Sequence, residues 1–275
     1  MGAESFEPRT WGSYWDYFGK RLVELVRIRP GSSVLDVGSG GGASLFPAAK
    51  KAGPRGTVVG IETCEGCFKR TSAEIERCGI SNARMLYMDA TKMSFGDNSF
   101  EFVISGFIGW DDYFDFERCR PIGRDKIMSE ICRVLKNGGR VAISGWAVHD
   151  ETMILRDLLL RFLPLDSPHR RDIQGWSHTE TPEGWRVILS NAGLVTIRTM
   201  VEHYDAIYSS EEDWWSEMVS GDWKKVMEEL EEKSIVTIDS LHEQAIKLLR
   251  PYKKADGIHQ ARDAVLAIGT KPQSA

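Results

Sequence analysis

The chain has 275 residues, of which 42% are hydrophobic and 27% charged, and Gly and Pro together supply about 13%. These proportions exclude a disordered, collagen-like or coiled-coil chain and leave one generous domain, or one domain carrying a substantial insertion. The net charge of −5 argues against a nucleic-acid binder, which needs a basic surface to displace counterions. Nine tryptophans are present, and after Trp11 and Trp15 none follows until Trp110. The five cysteines have no framework spacing, and the N-terminus lacks the pattern of a signal peptide. The most apolar stretch, 153–165, contains Arg156 and Arg161 and is too short to span a bilayer. The expectation is a cytoplasmic protein with reduced thiols and no membrane span.

In chain order, Trp15, Phe18, Leu22 and Leu25/Val26 fall at helical spacing and predict an amphipathic helix over 11–28 that ends before Pro30. Predicted strands then follow at 33–37, 57–61, 83–88, 100–105 and 140–144, with helices at 44–51, 68–78 and 125–135. Short β-branched runs separated by such helices indicate βαβ units and a parallel sheet. Beyond Trp146 an apolar helix is expected over 153–162. Thr181-Pro182-Glu183 reads as an N-cap with Pro at the first helical position, and strands are expected at 195–201 and 264–268. Residues 205–256 read as helical and acidic, with 13 Asp/Glu against 7 Lys/Arg, so almost the whole charge imbalance sits there.

Val34-Leu35-Asp36-Val37-Gly38-Ser39-Gly40-Gly41-Gly42-Ala43 is a strand running into a glycine loop and a helix. Such a loop lets a ligand approach backbone N–H groups at a helix N-terminus. Gly38-x-Gly40-x-x-Ala43 by itself also satisfies the dinucleotide fingerprint. The surrounding acids decide between the readings. Asp36 stands where an apolar residue would normally end a buried strand, and a carboxylate there needs a partner. Glu62 closes the second strand, placed for two ribose hydroxyls. Asp89 closes the third, placed for an adenine amino group. Leu135-Lys136-Asn137-Gly138-Gly139 links a helix to the fifth strand.

Together with Asp97-Asn98-Ser99-Phe100, this set resembles the class I S-adenosylmethionine-dependent methyltransferases, in the small-molecule branch that includes the quinone-biosynthesis enzymes. The resemblance runs through residues 30–145. It implies an α/β fold: a doubly wound, seven-stranded, mostly parallel, Rossmann-like sheet with an antiparallel last strand and helical cap insertions. The implied divisions are an N-terminal lid helix (1–29), the S-adenosylmethionine-binding core (30–147), a lid insertion with the sixth strand (148–204), an acidic helical cap (205–256), and a final strand and tail (257–275). Residue by residue, it implies that Asp36, Gly38, Ser39 and Gly40 hold the methionine end of S-adenosyl-L-methionine. It gives Glu62 and Thr63 the ribose, Cys67 the adenine face and Asp89 and Ala90 the adenine edge, and it turns Ser105 and Gly106 toward the sulfonium. Glu62 departs from the Asp more usual in the family.

Methyl transfer from a sulfonium is an in-line displacement, which positioning and water exclusion accelerate without a fixed catalytic residue. A base is needed only where the acceptor must lose a proton. His149, after the fifth strand, and Tyr113, after the fourth beside Asp111, are the catalytic candidates; His178 and His203 are weaker, and His169, His242 and His259 read as solvent-facing. Ile104-Ser105-Gly106-Phe107 is not the Asn-Pro-Pro-Tyr pattern of adenine or glutamine methylation. Cys64-x-x-Cys67 lacks a second Cys or His pair for zinc, and no metal site is expected. A redox motif would place the pair at a helix start, and the resemblance instead gives Cys67 a packing role.

The expected activity is methylation of a small, partly hydrophobic acceptor, with the N-terminal helix and the insertions as lid and an aromatic acceptor pocket. Protein methylation, nicotinamide-dependent redox chemistry and non-catalytic cofactor binding are the alternatives. The acceptor, the atom methylated and the oligomeric state are not legible.

Overall fold

The computed structural model describes residues 13–108, 114–115, 120–121, 126–147, 154–167, 180–220 and 223–273. Asp111, Tyr113, His149, His169 and His178 lie outside them, as do Trp11, Trp110 and Trp176. The chain divides into two compact units, one of Met1–Ala147, Ser177–Glu202 and Ala264–Ala275, the other of Val148–Trp176 and His203–Asp263.

The first unit is built on seven strands: β1 (Ser33–Val37), β2 (Thr57–Glu62), β3 (Ala83–Tyr87), β4 (Phe100–Gly106), β5 (Leu135–Trp146), β6 (Val195–Glu202) and β7 (Ala264–Thr270). Their order is β3-β2-β1-β4-β5-β7-β6, and only β7 runs antiparallel to its neighbours, the last strand that the resemblance implies to be antiparallel. β1 is buried on both faces, which explains its unbroken apolar run around Asp36. The chain leaves β1 toward β2 on one side, while β4 closes on the other. This reversal opens a crevice at the carboxyl ends of β1 and β4, where ligands bind in open α/β sheets.

Helices α1 (Ser13–Val26), α2 (Leu45–Ala52), α3 (Glu65–Arg77), α4 (Lys126–Val134) and α5 (Pro182–Asn191) flank this sheet. α1, expected as a lid, buries Phe18, Leu22, Val23 and Val26. Its polar flank is tied to β6, where Tyr17 Oη donates to Glu202 Oε1 at 2.6 Å and Arg21 donates to both Glu202 oxygens. Burial raises the Glu202 pKa, but the bonds from Arg21 and Tyr17 outweigh it and hold the carboxyl below its ordinary range. Thr181 caps α5 as expected, its Oγ1 accepting the Gly184 N–H at 3.1 Å. Trp185 on α5 is fully buried under the sheet with Val103, Val141 and Ile143.

The Leu135–Gly139 motif has a structural task. Lys271 Nζ donates to Asn98 Oδ1 (3.0 Å) and to the carbonyls of Cys132 and Leu135 (2.7 Å each), and the Gly138 N–H returns to the Lys271 carbonyl. These bonds clamp the turns before β4 and within β5 onto the last strand.

The second unit contains helices Ile154–Phe162, Glu211–Ser220, Lys224–Glu232 and Ile238–Leu248, and an antiparallel sheet of Lys253–Lys254, Gly257–Ala261 and Asp205–Tyr208. The reading of 205–256 as helical throughout is therefore corrected at both ends. Asp205–Tyr208 alternates exposed and buried residues, a two-residue period too short to register without its partner strand some fifty residues on. Trp214 is fully buried here and donates to Gln260 Oε1 at 2.7 Å. No helix among the described residues is long and apolar enough to cross a membrane.

Candidate active site

At the carboxyl ends of β1, β2 and β4 the first unit holds a cavity of about 590 Å³. This lies within the usual size of small-molecule sites, roughly 300–1,000 Å³. One wall is the glycine loop. Gly38, Gly40 and Gly42 have φ of 69°, 50° and 87°, a left-handed backbone that glycine adopts without strain. A side chain at Gly38 would strike Ile108, whereas one at Gly40 would meet nothing within 4 Å. α3 steadies the loop through Thr71 Oγ1, which donates to the Gly40 carbonyl at 2.7 Å.

Glu62 sits at the end of β2 as predicted and is already engaged. Its Oε2 accepts the Gly40 N–H and its Oε1 accepts the N–H groups of Thr63 and Cys64, all at 2.8 Å. The carboxylate thus joins the glycine loop to the β2–α3 turn and keeps acceptor capacity on Oε2. Asp89 is exposed beyond β3 and accepts the Thr91 N–H at 2.7 Å; the hydrogen bonds from Thr91 hold its carboxyl below the ordinary range.

Asp36 is fully buried and is not on the cavity wall; Ser44 is, and its hydroxyl lies 2.9 Å from both Asp36 oxygens. Burial pushes the Asp36 carboxyl up to about 7, against the lowering effect of bonds from Ser44 and Ser39. Ser105 also stands behind the wall. Strand alternation turns it away from the side Gly106 faces, and its hydroxyl donates to the Val37 carbonyl at 3.1 Å. Cys67 is likewise off the wall, with its sulfur against Arg70. Of the predicted cofactor residues, the cavity brings together Gly38, Ser39, Gly40, Glu62, Thr63, Asp89, Ala90 and Gly106. The catalytic candidates His149 and Tyr113 fall outside the described residues.

The cavity also takes residues that sequence reasoning missed. Gly19 and Leu22 come from α1, Arg70 from α3, and Phe107, Ile108 and Ser144 from the ends of β4 and β5, beside Trp15 of the helix expected as a lid. Gly19 allows the docking of α1, because a Cβ there would lie 2.3 Å from the Ala43 carbonyl oxygen in the glycine loop. Phe107 has φ 52°, strained for a bulky residue. Its N–H bond to the Ser144 carbonyl (2.9 Å) and the Trp146 ring at 4.4 Å hold it there. Trp15 packs edge-on to both Phe107 (5.2 Å) and Trp146 (5.4 Å), forming an aromatic cluster beside the cavity. The Ser144 hydroxyl is buried in this wall without a hydrogen-bond partner.

The described histidines lie in the second unit and face carboxylates. His203 is bonded to Asp263 and His259 to Asp205 and Asp256, while His242 lies 3.2 Å from Glu212. The bonds from Asp205 and Asp256 raise the His259 pKa.

A doubly wound sheet with this strand order, a glycine loop after β1 and an acid ending β2 defines the class I S-adenosylmethionine-dependent methyltransferase fold. The methyltransferase-domain model matches residues 28–234, and the chain belongs to that family. It is similar to the nocamycin O-methyltransferase of Saccharothrix syringae, 33% identical over 144 residues that cover 52% of this chain and 45% of that one. It is also similar to the demethylmenaquinone methyltransferase of Listeria welshimeri, 30% identical over 46% of this chain and 53% of that one. The chain thus spans about half the length of the curated relatives it matches. In fold it resembles the phosphoethanolamine N-methyltransferase 2 of Haemonchus contortus in complex with S-adenosyl-L-methionine, with TM-score 0.54 and 18% identity over 97% of this chain and 54% of that one.

The residues present fit the cofactor of this class. Gly40 opens onto the cavity and a strand-end carboxylate has acceptor capacity to spare. Met88, Ile108 and Ile127 supply apolar wall, and the Ser144 hydroxyl lacks a protein partner.

Proposed function

We propose that this protein is an S-adenosylmethionine-dependent methyltransferase acting on a small, partly hydrophobic acceptor in the cytoplasm. The observation that carries the reading is a single cavity lined both by the glycine loop with Glu62 and Asp89 and by Trp15 and Phe107. When bound, the cofactor supplies a methyl group on a sulfonium, a strong electrophile for in-line displacement.

The chain's own residues then bind, orient and exclude water. Glu62 accepts the ribose hydroxyls through Oε2 while its N–H bonds keep the loop in place. Asp89 and Ala90 hold the adenine edge, and Met88, Ile108 and Ile127 provide apolar surface for the ring. Asp36 acts on the amino end through Ser44 rather than by lining the wall. Trp15 and Phe107 exclude water, and their ring faces favour a cation. Positioning of this kind lowers a barrier by roughly 7–11 kcal/mol at best, so no fixed base is required for an acceptor that is already nucleophilic. For an acceptor that must lose a proton, His149 and Tyr113 are the proposed bases from their places after β5 and β4. The aromatic wall suits a flat apolar acceptor; a protein substrate would call for an open, polar approach.

Calorimetric titration of the pure protein with S-adenosylmethionine tests the reading. Micromolar binding is expected, followed by label transfer to one class among quinones, phenols, amines and thiols. Absence of cofactor binding overturns it.

A further inference from the structure

The Cys64-x-x-Cys67 pair stands at a helix start. α3 begins at Glu65, three residues earlier than the sequence predicts, because Cys64 itself is the N-cap. Its sulfur accepts the Cys67 N–H at 3.4 Å, and Arg70 Nη2 lies 3.3 Å from the Cys67 sulfur. Cap and third helical residue are within mutual side-chain reach, as in a capping box. Cys78, at the far end of α3, is about 20 Å away by helical rise and does not compete. Cys64 is exposed and Cys67 half-buried. Hydrogen bonds from Cys67 lower the Cys64 thiol pKa, while burial and the neighbouring Cys64 push Cys67 up to about 11. An exposed, acidified thiol followed by a shielded, basic one is the division of labour between attacking and resolving cysteines.

Neither cysteine lines the cavity, but each contacts a residue that does. The Cys64 N–H donates to Glu62 Oε1 at 2.8 Å, and Arg70, on the Cys67 sulfur, lines the cavity wall.

We propose that Cys64 and Cys67 form a redox-active dithiol that closes to a disulfide by exchange with a small-molecule disulfide and thereby loosens the adjoining cofactor site. The Cys64 thiolate attacks one sulfur of the oxidant, whose S–S bond breaks and releases one thiolate, which takes up a proton. Cys67 then gives its proton to water and attacks Cys64 Sγ; the protein S–S bond forms and the second oxidant thiolate leaves. Two protein thiols are oxidised by two electrons, and one disulfide is reduced to two thiols. Closure draws the Cys67 sulfur from Arg70 and shifts the turn that carries the Glu62 contacts. Only this effect on affinity rests on the function proposed above.

The test equilibrates the full chain in glutathione/glutathione disulfide mixtures, alkylates remaining thiols and maps the peptides, with S-adenosylmethionine titrated into reduced and oxidised protein. A linked 64–67 peptide and about tenfold weaker binding after oxidation are expected, within the usual range of coupling between sites. By reciprocity, bound cofactor makes the pair about tenfold harder to oxidise, raising its potential by about 30 mV. Cys64→Ser keeps an N-cap oxygen, folds, and binds equally with or without oxidant. Alkylation of both cysteines in every mixture overturns the dithiol, as does a Cys64→Ser variant as sensitive as the parent. Equal affinity in the two forms overturns the coupling. No binding even when reduced overturns the pocket assignment instead, and the peptide map still decides the disulfide.

Discussion

The two units place their polar groups differently, the first around a cavity and the second largely against one another. In the second unit, Trp214 Nε1 meets Gln260, Tyr208 Oη meets both Glu217 and Arg262, and the described histidines face acids. Burial pushes the Tyr208 hydroxyl up to about 12, so it stays a neutral partner in that network. In the first unit, the polar groups around the cavity are left poised. Asp36 is held near neutrality, Glu62 keeps acceptor capacity and the Ser144 hydroxyl has no protein partner. The Ser167 hydroxyl and His242 Nε2 of the second unit also lack a hydrogen-bond partner, but neither lines the cavity. Under-satisfied groups around one cavity mark a place where a ligand completes the bonding.

The largest effect is expected where one side chain serves several backbone donors. Glu62→Gln offers a single acceptor oxygen and an NH₂ facing N–H groups, leaving backbone donors of Gly40, Thr63 or Cys64 unmet. At about 1–3 kcal/mol for each unmet group, cofactor affinity falls about a hundredfold in calorimetry. Retained affinity would break the contrast between the units.

Asp36→Asn sharpens the contrast through pH. The folded pKa of Asp36 is about 7 against an ordinary 3.8, so its favourable contribution to folding is fully present below pH about 4 and is lost as pH rises to about 7. About three pKa units correspond to about 4 kcal/mol. The Asn variant does not ionise. In urea unfolding at pH 5 and pH 8, the variant's stability relative to the parent should therefore rise with pH by up to a few kcal/mol, while its cofactor affinity drops.

Trp214→Phe should have the smallest reach. It leaves the buried Gln260 amide without its indole partner and lowers stability by about 1–3 kcal/mol. Hydrogen exchange should report this loss within 205–261, with cofactor affinity changed less than twofold. An equal loss of affinity would show that the second unit's packing supports the site.

Much of the fold was legible along the chain. The glycine loop, the apolar run of β1, the acids ending β2 and following β3, and the Thr181 cap are local signals, readable because strand and helix periods and cap chemistry act over a few residues. The count of seven strands and the antiparallel last one came with the family resemblance those signals carried, and the strand order with the structure. What tertiary structure alone decided is which way side chains face and what meets across long separations. It put Asp36 behind Ser44 and turned Ser105 to the Val37 carbonyl, and it paired Asp205–Tyr208 with Gly257–Ala261. It also chose among the tryptophans. Trp15 lines the cavity with Trp146 packed beside it, whereas Trp185 and Trp214 are buried in the two cores. The docking of α1 through Gly19 was equally unreadable, since a helical glycine gives no local sign of the carbonyl that will approach it. Sequence periodicity says that a face is apolar; only the packed chain determines which groups share a cavity and which are shut away from water.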